Sequence, residues 1–256
     1  MKKVVILVDG QNLYYSLLGM KLIEKDIHWK NFFNSLIDPE DELIRSYWFR
    51  PQKIQDNFFS SDNIRSSEYY KKYRNYFQNY KNGEMDKIPE GIVQTVEKQV
   101  TFVEEWIKKQ KDRFSQIEYA YDQLSIEYND IEIIKTGIVK IKPQEQVYIG
   151  EKGVDIALAV KMIALSVEKK CDKIILVSGD YDYMEAIKFV KNNMTKLHVV
   201  KFHKGTPPRN KNMSRDISVM ADKLIDIYET DMKNKFLKNP ANEVELTTGG
   251  KVYPSH

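Results

Sequence analysis

Short apolar runs that end in acidic residues constrain the fold of this chain more than any other feature. One run, at residues 4–8, ends at Asp9, and another, at residues 174–177, is followed closely by Asp180 and Asp182. Continuous aliphatic runs of this length are typical of strands buried on both faces of a parallel sheet. Because the carboxyl ends of parallel strands meet at one edge, where open α/β sheets bind ligands, these acids are expected to lie close together.

Strand and helix patterns alternate along most of the chain, which favours a doubly wound, mainly parallel α/β sheet. Strands are predicted at residues 4–8, 43–49, 131–139, 147–149, 173–177 and 197–202. Helices are predicted from about residue 13, where Asn12 is a candidate cap, and at residues 28–37, 155–167, 182–192 and 219–228. The sheet domain is therefore assigned to residues 1–54 and 117–230, and residues 231–256, which lose periodicity, to a C-terminal tail.

The segment between these two parts, residues 55–116, is predicted to be a helical, tyrosine-rich insertion. Tyr69, Tyr73, Tyr76 and Tyr80 recur at helical spacing, with Phe77 beside them. Such rings can form a stacking surface for single-stranded nucleic acid. The simpler interpretation is that they pack the insertion itself.

A heptad-like seam begins in the insertion and runs beyond it, with no Gly or Pro between Ile92 and Thr136. Its positions alternate in steps of three and four: Val93, Val96, Val100, Val103, Ile107, Gln110, Phe114, Ile117, Tyr121, Leu124 and Tyr128. This spacing predicts a helix that packs against another helix. The partner is either the tyrosine-rich helix of the same chain or the same helix of a second subunit, which would make a homodimer.

The cysteine and histidine content bears on the compartment and on the metal. Cys171 is the single cysteine, so an intrachain disulfide is impossible and a reducing cytoplasm is expected. The four histidines show no zinc-like spacing. No apolar run approaches the roughly 20 residues that a bilayer requires, so no membrane association is expected.

The net charge of +3 is small, but the basic residues are unevenly distributed. The stretch from Lys196 to Arg215 contains no acid and six basic residues: Lys196, Lys201, Lys204, Arg209, Lys211 and Arg215. A local basic strip can hold phosphates even in a nearly neutral protein. The alternative is a solvated loop.

The acidic residues at the sheet edge are candidates for metal binding. Asp9, Asp155, Asp180 and Asp182 would repel one another unless a hard cation neutralised them, which indicates Mg²⁺ or Mn²⁺. Asn12 can hold a carboxylate or a metal-bound water without adding charge. Each acid also has a simpler role available, because Asp at a strand-to-helix turn often caps the helix.

Three segments together resemble the signatures of the NYN domain family, the PIN-like nucleases that include LabA-like bacterial proteins. They are Val-Asp-Gly-Gln-Asn at 8–12, Lys-Gly-Val-Asp at 152–155 and Ser-Gly-Asp-Tyr-Asp-Tyr at 178–183, in a resemblance extending over about residues 1–50 and 117–228. The resemblance implies a Rossmann-like PIN/NYN fold and a metal-dependent ribonuclease site. The residues carried over are Asp9, Asn12, Asp155, Asp180 and Asp182, and the insertion is the departure from the family pattern.

The hypothesis is that the protein hydrolyses phosphodiester bonds, with RNA favoured over DNA as the substrate. The metal ions would be bound by Asp9, Asp155, Asp180 and Asp182. Substrate contacts are expected from seven residues: Lys152, Ser178, Lys201, Lys204, Arg209, Lys211 and Arg215. Replacing Asp9 or Asp180 with Asn is expected to abolish cleavage and leave the fold intact, because it relieves repulsion. The alternatives are a non-cleaving RNA-binding or regulatory protein, an assembly protein, and a phosphatase, which the absence of a second acid two residues after Asp9 disfavours.

Overall fold

The computed structural model describes residues 1–55, 68–143, 146–207 and 215–238. The chain divides into two compact units. The first contains Met1–Gln52, Ala120–Gly137 and the described residues from Lys152 onward, and the second contains Lys53–Tyr119 and Ile138–Glu151. The second unit therefore includes Ile138–Glu151, which the sequence had grouped with the sheet domain.

Both units contain strands and helices. The strands are β1 Lys3–Asp9, β2 Glu42–Arg50, β3 Lys53–Ile54, β4 Ile131–Lys135, β5 Ile138–Lys142, β6 Val147–Lys152, β7 Lys173–Val177, β8 Lys196–His203 and β9 Lys223–Tyr228. The α-helices of four residues or more are α1 Gly10–Gly19, α2 Trp29–Ser35, α3 Glu68–Lys81, α4 Val93–Glu127, α5 Val154–Val167, α6 Met184–Asn192 and α7 Arg215–Met220. A 3₁₀ turn, Tyr181–Tyr183, precedes α6.

The first unit is built on a six-stranded sheet in the order β4-β2-β1-β7-β8-β9, and all of its strand pairs are parallel. The chain moves from β1 to β2 and β4 on one side, and then from β7 to β8 and β9 on the other. The reversal of direction lies between β1 and β7, which is where ligands bind in sheets of this kind. The doubly wound fold expected from the sequence is confirmed.

Apolar side chains cover both faces of this sheet. Val5 and Leu7 share a core cluster with Leu158 and Met162 of α5 and Ile187 of α6. On the other face an aromatic cluster forms, with the rings of Trp29 and Trp48 4.6 Å apart and those of Phe32 and Phe33 5.5 Å apart. Burial on both faces explains why the strands read as continuous apolar runs.

The second unit has its own core, in which α3 packs against the amino-terminal half of α4. Phe77 is buried together with the seam residues Val96, Val100, Val103 and Ile107, and Tyr76 and Tyr80 pack against this cluster. The rings of Tyr76, Phe77 and Tyr80 therefore pack within the insertion itself. The amino-terminal half of the heptad-like seam is buried by residues of the same chain. The side chains of Tyr69 and Tyr73 lie outside the described part.

The predicted helix at residues 219–228 is wrong. Helix α7 ends at Met220, and Lys223–Tyr228 forms the edge strand β9, which pairs in parallel with β8. Ile225 and Ile227 suit an extended backbone, and hydrogen bonds to β8 decide the conformation of a segment that local pattern leaves ambiguous. The predicted strand at 131–139 is likewise interrupted, because Gly137 turns with φ +68° between β4 and β5.

The chain after β9 remains packed within the first unit for several residues. Met232 and Phe236 are buried, the Phe236 ring meets that of Phe32 edge to face, and Leu237 forms a bridge with Ile27. These contacts lie within the segment that the sequence assigned to the tail. No helix in the described part of the chain combines the length and the apolar composition needed to cross a bilayer.

Candidate active site

Asp9 ends the central strand β1 and is almost fully buried, with 2% of its surface exposed. One carboxylate oxygen, Oδ1, accepts a hydrogen bond from the backbone N–H of Asn12 at 3.0 Å and so caps α1. The other, Oδ2, accepts bonds from the Ser178 hydroxyl at 3.0 Å and the Tyr183 hydroxyl at 3.1 Å. The cap of α1 is therefore Asp9 and not Asn12, and capping uses only one of its two oxygens.

Asn12 lies in the first turn of α1 and links this turn to the end of β7. Its side-chain Oδ1 accepts a hydrogen bond from the backbone N–H of Gly179 at 3.2 Å. The two segments are 167 residues apart in sequence. The amide thus helps to hold the turns after β1 and β7 together, a role that adds no charge beside the carboxylates.

Asp155 lies in the first turn of α5, and its position depends on two glycines. Gly153 takes a left-handed conformation, φ +90°, at the start of the helix. A Cβ on Gly137 would lie 2.4 Å from the backbone oxygen of Lys152, so the turn after β4 packs directly on this helix start. Asp155 is half-buried, and its Oδ1 accepts a hydrogen bond from the Tyr183 hydroxyl at 3.1 Å.

The turn after β7 presents Ser178, Asp180 and Asp182. The Ser178 hydroxyl donates to Asp9 and accepts from the backbone N–H of Asp180 at 3.2 Å. Asp180 caps the 3₁₀ turn, since its Oδ1 accepts the backbone N–H of Asp182 at 3.0 Å, and Asp182 is exposed. Of these two acids, for both of which the sequence left a capping role open, Asp180 is the cap.

Tyr183 joins the three segments and is the residue that the sequence did not single out. Its ring is fully buried in the core of the first unit. Its hydroxyl lies 3.1 Å from Asp9 Oδ2 and 3.1 Å from Asp155 Oδ1, across 174 and 28 residues of sequence. The sequence feature that could have identified Tyr183 is its position directly after the two acids. From the sequence alone, however, such a tyrosine cannot be distinguished from an aromatic residue that only packs the core.

The site accumulates negative charge. Burial raises the pKa of Asp9, and the neighbouring Asp155 carboxylate adds to this rise against the hydrogen bonds from Asn12, Ser178 and Tyr183. Burial also raises the pKa of Asp155, with the charges of Asp180 and Asp182 acting in the same direction. Burial and the two carboxylates raise the pKa of Tyr183, which keeps the phenol protonated at neutral pH.

The donor set fits a hard divalent cation in its chemistry. All the side chains concerned offer oxygen atoms, which Mg²⁺ and Mn²⁺ prefer. The single phenolic proton of Tyr183 is shared between the two carboxylates and does not neutralise their charge. Within the described residues, however, no group of three acidic, histidine or cysteine side chains is close enough to hold a metal ion by itself. A bound cation would therefore need additional ligands, such as water or substrate oxygens.

The residues expected to contact phosphate differ in how exposed they are. Lys152 and Lys204 are exposed, whereas Lys201 in β8 is only 8% exposed and has little surface to offer a phosphate. Lys201 was expected to contact a phosphate, but it is buried in β8, where it pairs with Asp226 of β9. Ser178 is buried against Asp9. Arg209, Lys211 and the side chain of Arg215 lie outside the described part.

Comparison with known proteins supports a single family. The NYN domain matches residues 77–228, more than half of the chain. This range includes the segments at 152–155 and 178–183, together with α4 and the last five residues of α3, and it begins after the segment at 8–12. None of the curated proteins compared with the chain matches it.

One solved structure is similar to this chain, a crystal structure of a protein of unknown function from Vibrio parahaemolyticus RIMD 2210633. The two share 15% identity over 88% of this chain and 93% of that chain, with a TM-score of 0.41. The family match and the resemblance of the three acidic segments agree with each other. The chain belongs to the NYN domain family, a family of PIN-like nucleases.

Proposed function

We propose that this protein is a metal-dependent ribonuclease that hydrolyses phosphodiester bonds at the carboxyl edge of the β1–β7 crevice. The observation that carries the proposal is the pair of carboxylates, Asp9 and Asp155, that share the Tyr183 hydroxyl at 3.1 Å each. Two acids brought together with raised pKa values are typical of a functional site. The choice of RNA as substrate rests on the family resemblance.

The residues that would hold Mg²⁺ or Mn²⁺, together with water or substrate oxygens, are Asp9, Asp155 and Asp180, with Asp182 at the exposed rim. A divalent cation bound there supplies Lewis-acid chemistry and lowers the pKa of a coordinated water. It would also favour the charged forms of Asp9 and Asp155, whose pKa values are raised by burial and, to a lesser extent, by neighbouring carboxylates.

The chain's own residues orient the acids and the substrate. Ser178 and the Asn12 backbone N–H fix both oxygens of Asp9, and Asn12 Oδ1 holds the turn that carries Asp180. Lys152 is exposed three residues before Asp155 and is proposed to contact a substrate phosphate. The same role is proposed for the exposed Lys204.

The test is cleavage of labelled structured and unstructured RNA with Mn²⁺ or Mg²⁺, with EDTA as the metal-free control. Asp155→Asn should lower the rate by at least about a hundredfold, because it removes a charged ligand but keeps an oxygen that can accept the Tyr183 bond. Asp112→Asn, which makes the same change at an exposed position of α4, should cleave like the wild type.

Metal-dependent cleavage that survives Asp155→Asn unchanged would refute the site. Binding of RNA and of Mn²⁺ without turnover in any divalent metal would instead favour the second candidate, a non-cleaving RNA-binding or regulatory NYN protein. DNA substrates in the same assay decide between the two nucleic acids.

A further inference from the structure

We propose that Tyr183 is a positioning residue that sets the separation and orientation of the Asp9 and Asp155 carboxylates for cation binding. This proposal rests on the proposed metal-dependent function and adds a residue to that site. The phenol oxygen is 3.1 Å from one oxygen of each carboxylate, and the ring that carries it is fully buried.

The hydroxyl is not required for packing the core. The Tyr183 ring lies in the same apolar cluster as Val154, Leu158 and Met184, and a phenylalanine ring would fill the same space. A buried hydroxyl costs free energy unless it is hydrogen-bonded. Its two hydrogen-bond partners here are the carboxylates of Asp9 and Asp155, so the polar end of the side chain is directed at the site.

The position of Tyr183 links the three acidic segments mechanically. Asp9 follows β1, Asp155 begins α5, and Tyr183 ends the turn after β7 that also carries Asp180 and Asp182. Each carboxylate keeps lone pairs that Tyr183 does not use, so a cation can bind while the phenol remains hydrogen-bonded. Residues that orient metal ligands in this way typically contribute ten- to hundredfold to metal affinity.

The first measurement is a double-mutant cycle in EDTA, in which Tyr183→Phe, Asp155→Ala and the double variant are unfolded by denaturant; Asp155→Ala removes both oxygens that could accept the Tyr183 bond. If Tyr183 positions Asp155, the two changes are non-additive by about threefold or more in the unfolding equilibrium constant. Additive effects would overturn the proposal, and this result does not depend on whether any metal binds.

The second measurement is Mn²⁺ titration by calorimetry on the same variants. Tyr183→Phe should bind Mn²⁺ about ten- to hundredfold more weakly than the wild type. The matched control is Tyr128→Phe, which removes a hydroxyl from a buried ring outside the site and should leave Mn²⁺ affinity unchanged.

The two measurements separate the two hypotheses. Equal Mn²⁺ affinity in Tyr183→Phe and the wild type would overturn the positioning role. If the wild type binds no Mn²⁺ while the cycle is non-additive, the metal-dependent function is refuted, and the role of Tyr183 in setting the carboxylate pair is supported.

Discussion

At the scale of single residues, Asp9 and Asp155 differ in what their replacement would disturb. Asp9 accepts hydrogen bonds from three donors, so the amide nitrogen of an Asn would face at least one N–H or O–H group. The sequence argument that Asp9→Asn leaves the fold intact overlooks this cost. Asp155 accepts the Tyr183 bond through one oxygen and is half-buried, which makes Asp155→Asn the cleaner test of charge.

The raised pKa values of Asp9 and Asp155 predict how the stability of the metal-free protein depends on pH. The folded state holds protons on these carboxyls at higher pH than the unfolded chain does. Their stabilising contribution is therefore complete below the ordinary value of 3.8 and is lost as pH rises through the raised pKa values.

In EDTA, the Tm of Asp155→Asn relative to the wild type should accordingly be higher at pH 7.5 than at pH 4.5. Asp112→Asn provides the comparison and should follow the wild type at both pH values. Thermal unfolding across this range checks the prediction, and a difference that is constant with pH would contradict it.

At the scale of elements, the turn between β1 and α1 is fixed by close packing on β2. A Cβ on Gly10 would lie 2.6 Å from the backbone oxygen of Phe49 and 2.9 Å from Trp48 Nε1. Gly19, at the other end of the same helix, has no atom within 4 Å of such a Cβ. The requirement for glycine is thus specific to the position directly after Asp9.

Gly10→Ala should therefore lower the free energy of unfolding by about 1–3 kcal/mol, because the helix must shift away from β2. Gly19→Ala should change it by less than about 1 kcal/mol. Denaturant unfolding of both variants is the measurement, with Mn²⁺ affinity as a second readout, which should fall only for Gly10→Ala. Equal stability of the two variants would show that the turn tolerates a side chain.

At the scale of the molecule, the candidate site and a buried ion pair lie at opposite ends of the strands of the six-stranded sheet. The acids lie at the carboxyl edge, whereas Lys173, at the amino end of β7, is buried among the carboxylates of Asp38 and Asp41. Its Nζ lies 2.7 Å from Asp38 Oδ2, across 135 residues of sequence. Five residues of β7 place this ion pair roughly 13 Å or more from the candidate site.

Lys173→Met should lower Tm by roughly 5 °C or more, because it leaves Asp41 without its buried cationic partner. Mn²⁺ affinity at the opposite edge should not change. Calorimetric melting and Mn²⁺ titration of the same preparation check both statements. Loss of Mn²⁺ affinity in a variant that remains folded would show that the two edges are coupled.

Much of the fold and the main acidic residues could be read from the sequence because they depend on local pattern. Apolar runs identify the buried strands, and acids placed directly after those runs must lie at the carboxyl edge of a parallel sheet. The order of the segments at Asp9, Asp155 and Asp180 therefore predicted both the architecture and the place of the site.

Other features depended on contacts between distant residues, which local pattern does not encode. Pairing with β8 made an edge strand of Lys223–Tyr228, and Lys201 of β8 is buried. Phe77 and Val100 belong to one core cluster, so half of the seam is buried within one chain. The sequence alone thus determined the buried central strands and the acids that follow them. Only the tertiary structure decided that Tyr183 meets Asp9 and Asp155, because three separate segments must fold together before one hydroxyl can contact both carboxylates.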